Sequence, residues 1–473
     1  MASSAPQEIL SLIAHHLAQL DKRLSPYALV NKSWQAAFER QIYSSIVVRS
    51  PSDVTTVEVN ENSWTAPGGP HDKKGLPLET FINITSGPRD WQPARRMYVR
   101  QILYRVAVPY WLDEARRKDD DYTYDNVCRR ENNQAFSEGV FQLFQHLSTW
   151  TNQTISLQIA LQAEDASTDE EDGEPKSIPT YDDEEMIAPY RAEFVPGCSL
   201  PRAFCITSLE FLEFQTPETI WYEPCALDVP CYENLISLPA RLSIASACSA
   251  LKVIRLKHGD DVPSTEPNMR ATRRTATAKG FSELPRTIKD MTLCSSSPLQ
   301  SEIADFRQPN ESAEQDSLCT VLQKFTMQLQ HLRMNSLQDS LELFCPYGLA
   351  LPLEAHWPYL ETLHLKVCGR SFGYRIRYAK GQSIEQCLDD LYTSLGHAAQ
   401  KMPRLKSLVL TFDSHNEFEL SVKNERWNLM LCVMDNYQPS PGFLKAWKAP
   451  GGSLQPCINR HWREATFSFW PPS

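Results

Sequence analysis

From residue 200 onward the chain repeats one apolar pattern, Leu-x-x-Leu-x-Leu with conservative swaps. It reads "LEFLEF" at 209–214, "LKVIRL" at 251–256, "IKDMTL" at 288–293, "LQHLRM" at 329–334, "LETLHL" at 360–365 and "LKSLVL" at 405–410. Weaker copies come earlier: "YSSIVV" at 43–48, "VRQILY" at 99–104 and "TISLQI" at 154–159. The last two apolar residues of each unit stand two apart, as a strand with one buried face requires. Between units the apolar period lengthens to that of a helix, as in "AFSEGVFQLFQHLSTW" (135–150) and "SIEQCLDDLYTSLGHAAQ" (383–400). The alternation predicts an α/β chain.

Strand plus helix, repeated, resembles a leucine-rich-repeat solenoid. The six clear units begin 42, 37, 41, 31 and 45 residues apart, against roughly 20–29 for regular repeats. The asparagine or cysteine expected three residues after the last leucine occurs once, as Cys368. An irregular solenoid with inserted loops is therefore expected. Residues 60–75, 164–185, 260–280 and 295–317 are the expected insertions, rich in Pro, Ser, Thr or charge and lacking apolar period. The competing reading is a set of unrelated amphipathic strands in an ordinary α/β domain.

The N-terminus follows a different pattern. Ser4-x-x-Gln7 reads as a capping box before "EILSLIAHHLAQL", where Ile9, Ile13, Leu17 and Leu20 share one helical face, with Leu10 and His16 beside it. Asp21-Lys22-Arg23 interrupts. Ser25 and Pro26 then open a second helix whose apolar stripe is Val30, Trp34, Ala37 and Phe38. Ile42 and Tyr43 sit on a third short turn, and Ser44 to Val48 is β-rich. Helices this short cannot bury their own apolar area, so they must pack on the rest of the chain or on a partner.

The order Pro6-x-Glu8-Ile9-Leu10, then Leu24, then Leu29-Val30-x-Lys32-x-Trp34, then Ile42-Tyr43 resembles an F-box over roughly residues 5 to 48, with Ala5-Pro6 where that family usually has Leu-Pro. The resemblance implies that Pro6, Ile9, Leu10, Ile13, Leu17, Leu24, Leu29, Val30 and Trp34 bind a Skp-type adaptor. An F-box followed by degenerate leucine-rich repeats resembles a class of F-box protein abundant in fungi. The implied organisation is an F-box-like unit at 1–48, an irregular first part of the solenoid at 49–200 carrying the acidic loop 164–185, and the main solenoid with its C-terminal closure at 201–473. The implied function is that of a substrate-recognition subunit of a cullin-type (SCF) ubiquitin ligase. The alternative is a non-ligase repeat scaffold whose F-box-like helices only cap the solenoid. A helix-turn-helix DNA reader fits poorly, because Lys32 and Arg40 are too few outward cations to hold a phosphate backbone.

Charge changes this picture little. The net charge is −11, but residues 164–185 hold eleven carboxylates against one lysine, which leaves −1 for everything else. That run reads as a solvated loop. The 13 cysteines are scattered, with no Cys-x-x-Cys, which points to reduced thiols in cytoplasm or nucleus. Neither Cys198/Cys205 nor Cys225/Cys231 has zinc spacing, and His15 and His16 are adjacent rather than a turn apart. "ILSLIAHHLAQL" is too short and polar to span a membrane, and it lacks a signal peptide's basic start and cleavage site. "GRSFG" (369–373) matches Gly-x-Ser-x-Gly after the strand at 360–365, but "YRIRYAKG" behind it alternates like a strand, where a nucleophile elbow needs a helix. No enzyme activity, metal or cofactor is expected, nor any nucleic-acid or membrane partner.

The repeat also predicts where a target would sit. With the fourth and sixth residues of each unit facing inward, their alternate neighbours face out. These are Phe211 and Glu213, Arg255 and Lys257, His331 and Arg333, and His364 and Lys366, with Asp290, Thr292, Ser407 and Val409 in the remaining units. Cations outnumber carboxylates there, so an acidic or phosphorylated target protein is expected.

Overall fold

A computed structural model describes residues 6–20, 24–51, 75–87, 89, 91–110, 127–165, 191–212, 235–258, 267–295, 317–335, 356–367, 384–412, 416–423, 426–432, 439–448, 455–456 and 462–467. The chain is mixed α/β and forms two compact units, Met1–Leu251 and Lys252–Ser473. The expected boundary near residue 200 lies inside the first.

The first unit opens with α1 (Gln7–Gln19), α2 (Ser25–Ala28) and α3 (Lys32–Ile42). Helix α1 starts at Gln7 behind Pro6, so Gln7 is not the third helical residue that the capping-box reading requires; Ser4 lies outside the described residues. The single second helix expected from Ser25 is two helices. Asn31 divides them, its side-chain oxygen accepting from Ser33 N at 2.9 Å and Trp34 N at 3.1 Å. A cap of this kind starts a new helix whatever the apolar period around it. Leu10, Ala14, Ala37 and Phe38 form the core of the three helices, with Leu17, Leu24, Tyr27, Trp34 and Ile42 packed against it.

The rest of this unit runs β1 (Ser45–Arg49), β2 (Leu76–Pro77), α4 (Leu78–Ser86), α5 (Trp91–Tyr98), β3 (Gln101–Tyr110), α6 (Val127–Leu147), β4 (Ile155–Asp165), β5 (Arg191–Ala192), β6 (Ile206–Leu212), β7 (Leu235–Ile236) and α7 (Leu238–Ser246). The main strands pair in parallel in the order β2-β1-β3-β4-β6, and β5 pairs β7 separately. Ile102, Tyr104, Leu157, Ile159 and Leu209 are buried, as are Phe136, Val140, Leu143 and Phe144 of α6. Gly139 lets α6 come close to the sheet. A Cβ there would meet Ser50 Cβ at 3.0 Å, and its carbonyl accepts from Tyr104 Oη at 2.6 Å. Arg95 of α5 pairs with Glu39 of α3, its guanidinium 5.0 Å from the Tyr43 ring centroid.

The second unit comprises β8 (Val253–His258), α8 (Pro267–Ser282), β9 (Asp290–Ser295), α9 (Ser317–Thr326), β10 (His331–Asn335), β11 (Thr362–Val367), α10 (Ile384–Ala399), β12 (Ser407–Phe412), β13 (Asn416–Lys423), β14 (Arg426–Cys432), α11 (Pro441–Ala446), β15 (Gln455–Pro456) and β16 (Trp462–Phe467). Strands β8 to β12 pair in parallel in chain order. The pattern then changes to antiparallel, β12-β13-β14-β16-β15. Each Leu-x-x-Leu-x-Leu unit of β8–β12 keeps its three apolar residues inside. Ile254, Met291, Leu332, Leu363 and Leu408 form one buried row and Leu256, Leu293, Met334, Leu365 and Leu410 the next, while Leu251, Ile288, Leu329, Leu360 and Leu405 are buried just ahead of their strands. The second residue of each unit stitches the strand starts together. Lys289 N donates to Lys252 O at 2.9 Å, Gln330 N to Lys289 O at 2.7 Å, Glu361 N to Gln330 O at 2.7 Å and Lys406 N to Glu361 O at 2.7 Å.

Two expectations fail here for physical reasons. Residues 260–280 are not all loop, since α8 begins at Pro267. Its buried side is made of Thr277, Ala278 and Phe281. Small or polar residues on that face hide the apolar period, and Phe281 packs on Phe325 of α9 at 5.9 Å. The unit at 209–214 is also out of phase. In β6 the buried residues are Ile206, Leu209 and Phe211, so the repeat there is "ITSLEF", three residues earlier. The acidic run beyond Asp165, "GRSFG", and residues 60–74 and 296–316 lie outside the described residues.

Candidate functional site

Two surfaces are candidates, one on each unit. On α1–α3 the inward stripe is Leu10 and Ala14, both buried, with Leu17 partly buried beside them, and a second apolar set faces solvent. Along α1 that set is Ile9, Leu12 and Ile13, with Leu20 just past its end; at the α2–α3 turn it is Leu29, 86% exposed, and Val30, 59% exposed. Pro6 is exposed at the start of α1. The exposure does not come from poor packing, because Tyr27, Trp34 and Phe38 stack within the bundle, with Trp34 and Phe38 5.3 Å apart and near-parallel at 6°.

Of the residues expected to bind an adaptor, Pro6, Ile9, Ile13, Leu29 and Val30 are on this surface. Leu10 is not. It is 1% exposed, because a helix packed on one side must turn its i, i+4, i+7 stripe inward, and in α1 that stripe runs Leu10, Ala14, Leu17. Leu17, Leu24 and Trp34 are partly buried against the same core. Leu12 was missed, although it stands three residues from Ile9 and so continues that face.

The second surface is the polar face of β8–β11. Strand register places Val253, Asp290, His331 and Thr362 in one row, Arg255, Thr292, Arg333 and His364 in the next, and Lys257, Cys294, Asn335 and Lys366 in a third. These alternate with the buried rows, so Arg255, His331, Arg333, His364 and Lys366 lie where the repeat predicts. Phe211 does not. It is buried, with the Arg241 guanidinium 5.5 Å from its ring centroid, as the earlier phase of that unit requires; Glu213 is outside the described residues.

Arg333 Nη2 lies 3.4 Å from His364 Nδ1. A guanidinium can only donate, so Nδ1 accepts and the imidazole is neutral. Burial first, and Arg333 second, hold its pKa below the ordinary histidine value. His331 Nδ1 is 2.9 Å from Thr362 Oγ1. At the strand starts Lys406 Nζ donates to Glu361 Oε2 at 2.6 Å, keeping that carboxyl below its ordinary value. Lys289 Nζ and Arg404 Cζ each lie 5.6 Å from the exposed Tyr359 ring.

Among the described residues no cluster of three or more His, Cys, Asp and Glu is placed to hold a metal ion, and no helix is long and apolar enough to cross a membrane. The Cys205 and Cys248 thiols are buried; burial pushes Cys205 up to about 12 and Cys248 well up from its ordinary value.

No protein-family model matches the chain, and no curated protein matches it. Among solved structures it is similar to the leucine-rich repeat-containing protein LegL7 from Legionella pneumophila, at 12% identity over 71% of this chain and 88% of that one. The TM-score is 0.16, so the architecture rests on the strand pairing and burial above.

Proposed function

We propose that this chain is an F-box-type substrate receptor of a cullin-type ubiquitin ligase, its α1–α3 helices docking a Skp-type adaptor and its leucine-rich-repeat-like sheets presenting a target protein. One observation carries the reading: a helical bundle with a complete core of its own still exposes Ile9, Leu12, Ile13, Leu20, Leu29 and Val30. Large apolar residues left in water mark a binding surface. Each, once covered, contributes roughly 1.5–3 kcal/mol. The role would be positioning, with no bond-making group supplied by the chain. A target lysine held near a loaded ubiquitin-carrying enzyme gains effective concentration.

The rival reading, helices that only cap a repeat scaffold, needs those apolar faces covered by the chain itself. Among the described residues they are exposed. Co-purification with a Skp-type adaptor separates the two. Ile13→Asp and Val30→Asp should each weaken capture at least about tenfold while the melting temperature holds. An adaptor that never binds the wild-type chain, or variants that unfold it, would favour the cap.

A further inference from the structure

Positive charge collects where β8–β12 begin. The backbone bonds from Lys252 through Lys289, Gln330 and Glu361 to Lys406 keep the five strand starts in one line, about 19 Å long at 4.8 Å per strand. Ahead of β8, β9, β10 and β12 the chain turns in the same way. Leu251 N, Ile288 N, Leu329 N and Leu405 N each donate to the carbonyl three residues back, at 3.0–3.3 Å. The turns and starts, residues 248–252, 285–290, 327–331, 357–362 and 400–407, hold Lys252, Arg286, Lys289, Lys401, Arg404 and Lys406 against Asp290 and Glu361. Lys406 engages Glu361. Lys252, Arg286, Arg404 and Lys406 are exposed, and Lys289 and Lys401 partly so. These cations are dispersed along the sequence and meet through strand pairing, so no basic run announces them.

Two of them are held on one aromatic ring. Lys289 Nζ, which donates to Gln328 O at 3.3 Å, and Arg404 Cζ each lie 5.6 Å from the ring centroid of Tyr359, itself 45% exposed. The ring is therefore already engaged and is not the open stacking platform that single-stranded nucleic acid uses. A nucleic-acid duplex or an acidic peptide needs anions matched to cations at fixed spacing. Here Gln328 and Gln330 at β10 and Glu361 at β11 interrupt the row. Anionic lipid headgroups diffuse laterally, so a bilayer surface responds to summed charge rather than to register. Tyrosine among lysine and arginine is also the composition that settles at the headgroup level.

We propose that the strand-start edge of β8–β12, centred on Lys289, Tyr359 and Arg404, is a docking surface for an anionic lipid bilayer. The attachment is peripheral and reversible, since it uses charge without an inserted apolar segment. It goes beyond the ligase reading and does not depend on it. The test is co-sedimentation of the full chain with phosphatidylcholine vesicles, with and without about 30% phosphatidylserine.

Vesicles with phosphatidylserine should bind at least about tenfold tighter, and raising salt from about 0.1 to about 0.5 M should remove most of that difference. Arg404→Gln should weaken binding about fivefold, and Lys252→Glu with Arg404→Glu should abolish it. The neutral variant carries the test if the double reversal fails to fold. Arg202→Glu, at an exposed cation of the first unit, should change nothing. Cations that follow a helix C-terminus also offset its dipole, so urea unfolding is measured on the same variants. Lost stability with unchanged vesicle binding would assign these cations to the fold and overturn the proposal. Equal binding to the two kinds of vesicle overturns it too. So does polyglutamate or duplex DNA bound as tightly as the phosphatidylserine vesicles and lost in the same variants.

Discussion

The α1–α3 bundle and the β8–β12 sheet use their outer faces in opposite ways. In the sheet, strand alternation sends every apolar residue of the repeat inward and leaves Arg255, Thr292, Arg333 and His364 outside. In the bundle, Leu10, Ala14, Ala37 and Phe38 close a core, yet Leu12 remains 64% exposed and Leu29 86%. A period-2 element has two faces and can keep each chemically pure. A helix has a continuous circumference, and α1 spends two stripes of it on apolar residues, one more than its own core needs. The extra stripe is the informative one. The bundle leaves apolar side chains in water, whereas the sheet leaves polar ones there.

That contrast breaks most visibly in stability. Leu363 lies in the middle of the parallel sheet, between Leu332 and Leu408, and is fully buried. Leu363→Ala should cost about 2–5 kcal/mol. Leu29→Ala removes the same atoms from water-exposed surface and should stay within about 0.5 kcal/mol. Urea unfolding of both variants measures the difference. Comparable losses at the two positions would mean that Leu29 is covered in the folded chain, and the contrast would disappear.

A second contrast sets the first unit's buried histidine against the half-buried ones on the sheet face. His146 of α6 packs against Phe81 and Trp150 at 5.5 and 5.4 Å. Thr85 Oγ1 donates to Phe81 O at 2.7 Å and lies 2.9 Å from His146 Nε2, whose N–H donates to it. Burial first, then Arg96, lowers the pKa from 6.5 to about 4. The unfolded chain therefore takes up this proton at higher pH than the folded one. The stabilisation is complete above pH 6.5 and is lost as pH falls toward 4, by up to about 3 kcal/mol. His146→Gln retains hydrogen-bonding capacity but cannot titrate. Between pH 7 and 4.5 it should lose less stability than the wild type in urea unfolding; identical pH slopes would show that His146 is charged in the folded state.

How much of this was legible in the sequence depended on period. The strands at 251–256, 288–293, 329–334, 360–365 and 405–410 could be read because two apolar residues two apart leave no other way to bury them, and the row Arg255–Arg333–His364 followed from the same alternation. The same rule misplaced Phe211, since "ITSLEFLEF" holds two overlapping copies of the pattern and burial chooses the first. Helix α8 was hidden because Thr277 and Ala278, small or polar, make up much of its buried side. In the bundle the expected face held Ile9 and Ile13 but also Leu17. Periodicity alone cannot decide which of two apolar stripes turns inward; the packing of α1 on α3 does.

The smallest effect concerns the turn that presents Leu29 and Val30. Leu29 N donates to Pro26 O at 3.2 Å and Val30 N to Tyr27 O at 3.3 Å, so α2 winds down through both residues before α3 begins. Asn31 then holds the first backbone N–H groups of α3 with one side-chain oxygen. Asn31→Ala removes that acceptor and should cost about 1 kcal/mol, within the usual 0.5–2 for a lost cap. Asn31→Asp keeps an acceptor and adds a negative charge where the helix dipole favours one, so it should restore what alanine loses. Adaptor capture should follow the same order, because a frayed α3 no longer fixes the direction in which Leu29 and Val30 project. If Asn31→Ala captured adaptor as well as wild type while melting lower, the cap would serve the fold alone. The exposed apolar pair would then be recognised without a fixed turn, and the bundle's outer face would be less ordered than the sheet face with which it is compared.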